Sequence, residues 1–168
     1  MSEEAYDENW WGTRSISYTY DDLFRLTQAH YQPEDRKENY AYDLNGNRLR
    51  KWVTIEGESI EDIRYRYNGL NQLVQAGDEI FYHDAKGNIK RRIFPDRETE
   101  YYWDDENRLV KVEENRLTRV EGHEEKELVK TVEYVHNGLG QRIKRILTVV
   151  GEESHTTEYV NSTGSAYQ

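Results

Sequence analysis

The sequence contains no cysteine, only two prolines and a single methionine. Without cysteine there can be no disulfide framework and no thiolate metal site. No stretch is apolar for long enough to form a transmembrane helix, and the acidic start M-S-E-E-A-Y-D-E has no signal-peptide core. We therefore expect no insertion into a membrane, and this chain carries no signal peptide that would direct secretion.

Aliphatic residues are also scarce. Hydrophobic residues make up 35% of the 168, charged residues make up 33%, and the mean hydropathy is -1.09. Such a composition leans toward disorder, because little aliphatic surface offsets the conformational entropy lost on folding. The 14 tyrosines, 4 tryptophans and 3 phenylalanines favour folding instead, because aromatic rings bury large areas. We expect a single domain over residues 1–168 with a thin amphipathic core.

The charge balance and the motif content exclude several functions. Acidic residues outnumber basic ones by 33 to 23, which gives a net charge of -10. That disfavours nucleic acid and anionic membranes as partners, because both are bound through basic groups. The sequence has no G-x-S-x-G, phosphate loop or H-E-x-x-H motif. We expect no catalytic residue, no cofactor and no metal.

One short motif recurs six times, and Y-A-Y-D-L-N-G-N-R-L (40–49) represents it. Two aromatic positions flank one residue and are followed by an aspartate or asparagine, which we call the anchor. The irregular separation of the anchors, between 16 and 33 residues, fits a meander of unequal hairpins better than a regular solenoid. We number the motif turns 1 to 6 by their anchors, which are Asp21, Asp43, Asn68, Asp84, Asp104 and Asn137.

The anchor and the third residue after it (position +3) predict a tight turn. An aspartate or asparagine side chain can accept hydrogen bonds from amides two or more residues on. Glycine tolerates a positive φ at position +3, and asparagine is the next most tolerant residue. Position +3 is glycine in the even turns and asparagine in turns 3 and 5: Gly46, Gly87, Gly140, Asn71 and Asn107. Phe24 takes this position in turn 1, where we expect a different turn.

The residues between the turns alternate as strands do. The two aromatic positions are two residues apart, so they share one face of a strand. Runs such as K-W-V-T-I (51–55) follow the turns, and second turn signals such as P-D-R-E (95–98) follow these runs. The pattern predicts an all-β fold, an antiparallel β-meander of about ten to twelve strands in a curved sheet. The polar segment E-G-H-E-E-K-E (121–127) is predicted to be a long loop.

The repeated motifs resemble the YD repeats of the Rhs family over roughly residues 17–145, with 1–16 and 146–168 as flanking strands or termini. That family includes bacterial Rhs polymorphic toxins, the C components of insecticidal toxin complexes and the teneurin ectodomains. The resemblance implies a sheet that spirals into a hollow shell, which encloses a toxic domain in the toxin members. It implies as partners the rest of such a shell, an enclosed toxin domain or self-association through sheet edges. Membership of an exported toxin would place the chain outside the cell or on its surface.

The sequence also departs from the full-length family. Neither Pro33 nor Pro95 follows an aspartate, so the D-P-x-G core of the self-cleavage region is missing. The chain is too short to close a shell by itself, and no tail long enough for a toxin domain follows the repeats. We therefore expect a structural shell segment that encloses or scaffolds a cargo, without self-cleavage or toxicity.

The motif aromatics permit two interpretations. In one they form an exposed ladder that stacks on sugars, which would make the chain a stand-alone carbohydrate or cell-surface binding module. In the other they pair across neighbouring strands as a packing layer, and their fixed place beside every turn favours this. These residues are Tyr18, Tyr20, Tyr40, Tyr42, Tyr65, Tyr67, Phe81, Tyr101, Trp103 and Tyr134.

The remaining polar candidates are interpreted as structural. The arginines that follow the turns are expected to pair with acids or stack on rings: Arg25, Arg48, Arg108 and Arg142. The adjacent pairs Asp21-Asp22 and Asp104-Asp105 are expected to form turns rather than a hydrolytic carboxylate pair. His83 and His136 take the second aromatic position and are interpreted as repeat variants. His123 with two glutamates has too few convergent ligands for a metal.

Two features lie outside the repeats. Trp10 and Trp11 are expected to form the apolar edge of a terminal strand, with an exposed docking patch as the alternative. Asn161-Ser162-Thr163 is a glycosylation sequon that matters only in a eukaryotic secretory pathway.

Overall fold

The computed structural model describes residues 4–7, 14–120 and 123–159, and only the backbone of residues 4–7 and 120. Trp10, Trp11 and the sequon at 161–163 lie outside the described residues. The chain divides into two compact units, Met1–Gly77 and Asp78–Gln168.

The first unit is an antiparallel meander in which each strand pairs with the next along the chain. Its strands are β1 (Glu4–Asp7), β2 (Arg14–Tyr20), β3 (Leu26–Gln32), β4 (Arg36–Tyr42), β5 (Arg48–Ile55), β6 (Glu58–Tyr67) and β7 (Leu73–Ala76).

The second unit repeats this arrangement. Its strands are β8 (Glu79–His83), β9 (Ile89–Phe94), β10 (Arg97–Trp103), β11 (Leu109–Val120), β12 (His123–His136), β13 (Arg142–Val149) and β14 (His155–Glu158). The predicted all-β antiparallel meander is confirmed. The described residues form fourteen strands rather than ten to twelve, because β1, β7 and β14 have only four residues each.

No described residue is helical, and accordingly the described part of the chain holds no helix that is long and apolar enough to cross a bilayer.

The aromatic positions of the motif and the buried aliphatic residues occupy the same face within each unit. In the first unit Tyr18 is registered opposite Ala29, and Glu38 opposite Val53. Ala29 is 2% exposed and Val53 is 0% exposed. In the second unit Val132, 5% exposed, is the buried aliphatic residue on that face. Among the described residues these three are the buried hydrophobic ones, so the core is as thin as the composition implies.

The predicted loop over 121–127 is wrong for residues 123–127, and residues 121–122 lie outside the described residues. Strand β11 continues to Val120 and β12 begins at His123, with Glu124 registered opposite Arg119 and Glu127 opposite Arg116. The polar residues belong to a long two-stranded hairpin, in which opposite charges on the two strands face each other and stabilise the pairing. The polar composition of residues 123–127 indicates that they are exposed to solvent, but their pairing with β11 makes them a strand.

Candidate functional site

The six motif turns share one backbone geometry. In each, the anchor amide donates to the carbonyl at position +4 and the amide at position +3 donates to the anchor carbonyl, over 2.8–3.2 Å. The anchor Oδ1 also accepts from the amides at positions +2 and +4, over 2.8–3.0 Å. Four hydrogen bonds thus hold each turn within five residues.

Position +3 has a positive φ in all six turns. The angle is 86°, 93° and 77° at Gly46, Gly87 and Gly140, and 63° at both Asn71 and Asn107. The expectation of a different turn at Phe24 is wrong, because its φ is 58° and its amide donates to the Asp21 carbonyl at 3.0 Å. The surrounding hydrogen bonds hold a phenylalanine in a conformation that its residue type disfavours.

The second polar atom of each anchor bonds the side chain at position +4, and the two residue types are matched. Aspartate anchors accept from a donor through Oδ2, as in the 2.7 Å bond from Arg108 Nε to Asp104 and the 2.9 Å bond from Asn47 Nδ2 to Asp43. Asparagine anchors instead donate through Nδ2 to a glutamine. The four donor pairs are Asp21–Arg25, Asp43–Asn47, Asp84–Asn88 and Asp104–Arg108, and the two glutamine pairs are Asn68–Gln72 and Asn137–Gln141.

This matching is present in the sequence, although it was not predicted there. Every Asp anchor has arginine or asparagine four residues later, and every Asn anchor has glutamine there. The reason is that Oδ1 of the anchor is already committed to two backbone amides. The remaining atom is then an acceptor in aspartate and a donor in asparagine, so it requires a partner of the opposite kind.

The same bonds keep the aspartate anchors ionised. The Arg108 amide, and then its guanidinium, lower the pKa of Asp104, and the corresponding groups of Arg25 lower the pKa of Asp21. At Asp43 the Asn47 side chain is the main cause of the lowered pKa. Burial raises the pKa of Asp84, but hydrogen bonds from Asn88 outweigh it and the net shift is downward. Carboxylates held in this way serve as acceptors rather than as proton donors.

Three of the motif aromatics bond the backbone beside the preceding turn. Tyr42 Oη donates to the Leu26 carbonyl at 2.8 Å, and Tyr67 Oη donates to the Arg48 carbonyl at 3.1 Å. In the second unit, Trp103 Nε1 donates to the Ile89 carbonyl at 2.9 Å. In each case the ring precedes its anchor by one residue, and the acceptor follows the preceding anchor by five. These polar groups therefore join one hairpin to the next.

Arginines cover several of the rings. The Arg25 guanidinium lies 4.9 Å from the Tyr42 ring centre while Nε bonds Asp21, so this arginine both pairs with an acid and stacks. Similar contacts join Arg48 to Tyr40 and Tyr65, Arg92 to Phe81 and Arg142 to Tyr134, at 4.1–5.8 Å. Tyr40 also donates to Glu38 at 2.6 Å, and burial followed by this bond raises the pKa of Tyr40.

The rings nevertheless keep part of their surface in solvent. Tyr20 is 36% exposed, and Tyr18 and Tyr101 are half-buried, as are the other motif aromatics. The structure therefore brings the predicted aromatic residues together on one face within each unit, beside the turns. It does not bury them as a closed core would.

A buried ion network in the second unit was not predicted from the sequence. Glu98 is 1% exposed, and it accepts from Arg91 and from Lys126, which comes from two strands away. Burial raises the pKa of Glu98, but the bonds from Lys126 and Arg91 outweigh it and the pKa is lowered. Nearby, a 2.7 Å bond to Glu113 is the main cause that raises the pKa of Tyr102 to about 12.

The geometry offers little for catalysis or metal binding within the described residues. No group of three or more histidine or acidic side chains converges there as a metal site would require. One partly open surface depression, of about 370 Å³, is bordered by Arg14, Ile16, Tyr31 and Arg36. Asp21 and Asp104 are both engaged in their own turns, so neither forms a free carboxylate pair with its neighbour.

The sequence matches the family described as Teneurin YD-shell over residues 4–159. The chain belongs to this family. The resemblance to YD repeats is thereby confirmed, and it extends beyond the six motifs into both flanking regions. No curated protein matches this YD-shell chain.

One solved structure, with a TM-score above 0.5, shows the same fold. In the "Crystal Structure of TcdB2-TccC3-TEV" a chain matches with 13% identity and a TM-score of 0.52, over 94% of this chain and 11% of that one. In the "Crystal Structure of TcdB2-TccC3-Cdc42" the match has 12% identity and a TM-score of 0.44, over 94% and 11%. The YD-shell chain thus spans about a tenth of the length of the solved chains that it matches.

Proposed function

We propose that this YD-shell chain is a non-catalytic segment of a shell wall that encloses or scaffolds a cargo, such as a toxin domain or another partner. Family membership over residues 4–159 supports a wall role, and so does the match to a small part of a much longer chain.

The observation that carries the proposal is how the motif side chains are used. In Asp104, Oδ1 accepts from two backbone amides and Oδ2 accepts from Arg108 Nε. The polar groups of Tyr42 and Trp103 are committed to the carbonyls of neighbouring strands. A catalytic carboxylate has to leave lone pairs free for its substrate, whereas these groups are occupied in building the sheet.

Protease protection tests enclosure directly. The parent reading frame, found from the neighbouring coding sequence, is expressed with a fluorescent tag on the segment that it encodes beyond these repeats. We expect that segment to resist digestion in the parent protein and to be cut rapidly when it is expressed alone. Equal digestion rates in the two settings contradict enclosure. A parent frame that encodes nothing to enclose contradicts it as well.

A carbohydrate or cell-surface binding role is the second candidate, and the partial exposure of the motif rings favours it. Tyr20 has 36% of its surface in solvent, and no arginine covers its ring among the described contacts. A glycan array read alongside intrinsic tryptophan fluorescence tests this role. Binding that is lost in Tyr20→Ala but kept in Tyr102→Ala supports it, because within the second unit the Tyr102 ring lies on the face opposite the motif aromatics. The absence of binding to any glycan removes it.

A further inference from the structure

Side chains at position +4 reach across to the next turn as well as to their own anchor. Asn47 Nδ2 in turn 2 donates to Asn71 Oδ1 in turn 3. In the second unit, Asn88 Nδ2 in turn 4 donates to Asn107 Oδ1 in turn 5 at 2.8 Å. In both cases the donor follows the glycine of an even turn, and the acceptor is the positive-φ asparagine of the following odd turn.

Contacts from an odd turn to the following even turn differ. Arg25 Nη1 in turn 1 donates to the Asp43 carbonyl at 2.8 Å, so the arginine meets backbone rather than a side chain. In turn 5, Arg108 extends toward turn 6, where a Cβ built on Gly140 would lie 3.9 Å from its Cδ. Turns 1 and 5 thus each extend an arginine toward a glycine-containing turn, which has no side chain at position +3, whereas turn 3 has Gln72 at position +4.

We propose that the alternation of the two turn subtypes is a recognition code between neighbouring hairpins. The flank of turns 2 and 4 presents an asparagine donor and takes a turn with asparagine at position +3. The flank of turns 1 and 5 presents an arginine and takes a turn with glycine at position +3. Turns 3 and 6, whose anchors are asparagines, have glutamine at position +4 instead. This code selects which hairpin lies next to which, and it holds whether or not the finished wall encloses a cargo.

Turn 1 shows what the code predicts for a flank without an acceptor. In turns 3 and 5, position +3 faces the preceding turn, because it accepts from that side. In turn 1 the same position holds Phe24, which is 80% exposed, beside Leu23, which is 66% exposed. This flank offers no side-chain acceptor, so the code predicts that it does not take an asparagine donor of the kind that turns 2 and 4 present.

Double-mutant cycles test the code in both units. The pairs are Asn47→Ala with Asn71→Gly, and Asn88→Ala with Asn107→Gly, followed by urea unfolding of the full chain. Glycine preserves the positive φ at position +3, and the cycle subtracts the bond that each donor makes to its own anchor. We expect each single variant to raise the unfolding equilibrium constant, and each pair to be coupled by roughly fivefold, as one lost hydrogen bond implies.

Phe24→Gly is the matched control, since it removes a position +3 side chain that receives no hydrogen bond. We expect no coupling between Phe24→Gly and Asn47→Ala, and no loss of stability from Phe24→Gly itself. Additive effects in both asparagine cycles would overturn the proposal. A coupling of Phe24→Gly to Asn47→Ala as large as that of Asn71→Gly would overturn it too, because the coupling would then not depend on the asparagine acceptor.

Discussion

Removing a single hydroxyl group, in Tyr42→Phe, distinguishes a tyrosine that builds the sheet from one that is kept for a ligand. Tyr42 Oη donates to the Leu26 carbonyl at 2.8 Å, and the Tyr42 ring lies under Arg25. Phenylalanine keeps the ring, its packing and most of the stacking, and it deletes only the bond between the hairpins. Because Tyr42 is only half-buried, water can solvate the Leu26 carbonyl in its place. The net cost should then be about 1 kcal/mol, the usual net value of one hydrogen bond.

Urea unfolding followed by tryptophan fluorescence measures this cost. With a slope of about 2 kcal/mol per molar, the midpoint should fall by roughly 0.5 M at unchanged slope. Tyr18→Phe is the control, because Tyr18 lies on the same face and its hydroxyl has no hydrogen-bond partner among the described residues. We expect its midpoint to stay within error of the parent chain. Equal midpoints for the two variants would refute the assignment of the Tyr42 hydroxyl to the wall.

Three further outcomes follow from the packing and the turns. Val53→Ala removes two methyl groups from a side chain that is 0% exposed, so it should cost about 2–3 kcal/mol in a urea melt. Ile60→Ala, at a position 57% exposed, should cost almost nothing, and equal costs would contradict the thin core. Asp104→Asn places an amide donor against the Arg108 Nε donor, so it should destabilise the second unit. The double variant Asp104→Asn with Arg108→Gln should recover much of the lost stability, because it recreates the Asn–Gln pair of turns 3 and 6. A double variant no better than the single one would show that the matching does not matter. The lowered pKa values of Asp21, Asp43, Asp84 and Asp104 mean that the unfolded chain binds their protons more readily. The stability that these four carboxylates contribute is present above their unfolded pKa of about 4 and is lost as the pH falls through their lower folded pKa values. The urea midpoint should therefore drop between about pH 5 and pH 2. A midpoint that stays constant over that range would contradict a stabilising role for the four carboxylates.

The turns were predictable because their determinants are local. The anchor and position +3 are three residues apart, and the hydrogen bonds that they make stay within five residues. Phe24 was the exception. A prediction from residue preference considers only that phenylalanine disfavours a positive φ. The four hydrogen bonds of turn 1 outweigh that preference.

The hairpin of β11 and β12 and the environment of Glu98 could not be predicted in the same way. The residues of 123–127 are polar in either a loop or a strand, and only their register against β11 identifies them as a strand. Glu98 bonds Lys126, 28 positions later in the sequence. Nothing local to the segment R-E-T-E (97–100) distinguishes the buried glutamate from the exposed positions around it. The match of Asp anchors to donors and Asn anchors to glutamine was available in the sequence, and hydrogen-bond accounting alone would have found it.

The strands that separate the motif turns vary from 4 to 14 residues, although the turns themselves do not vary. Within each unit, therefore, extra length can be added only at the ends of the hairpins that lack the motif, as the long pair β11 and β12 shows. The two ends of the hairpins thus have different tolerance to insertion. A peptide inserted near Gly57 would disturb one backbone hydrogen bond to a neighbouring tip, from the Glu56 amide to the Asp35 carbonyl. An insertion of the same size at Gly46 would break the four hydrogen bonds of turn 2 and its side-chain contact with turn 3. For anyone who wishes to graft an epitope or a reporter onto this wall, that asymmetry identifies which end to use.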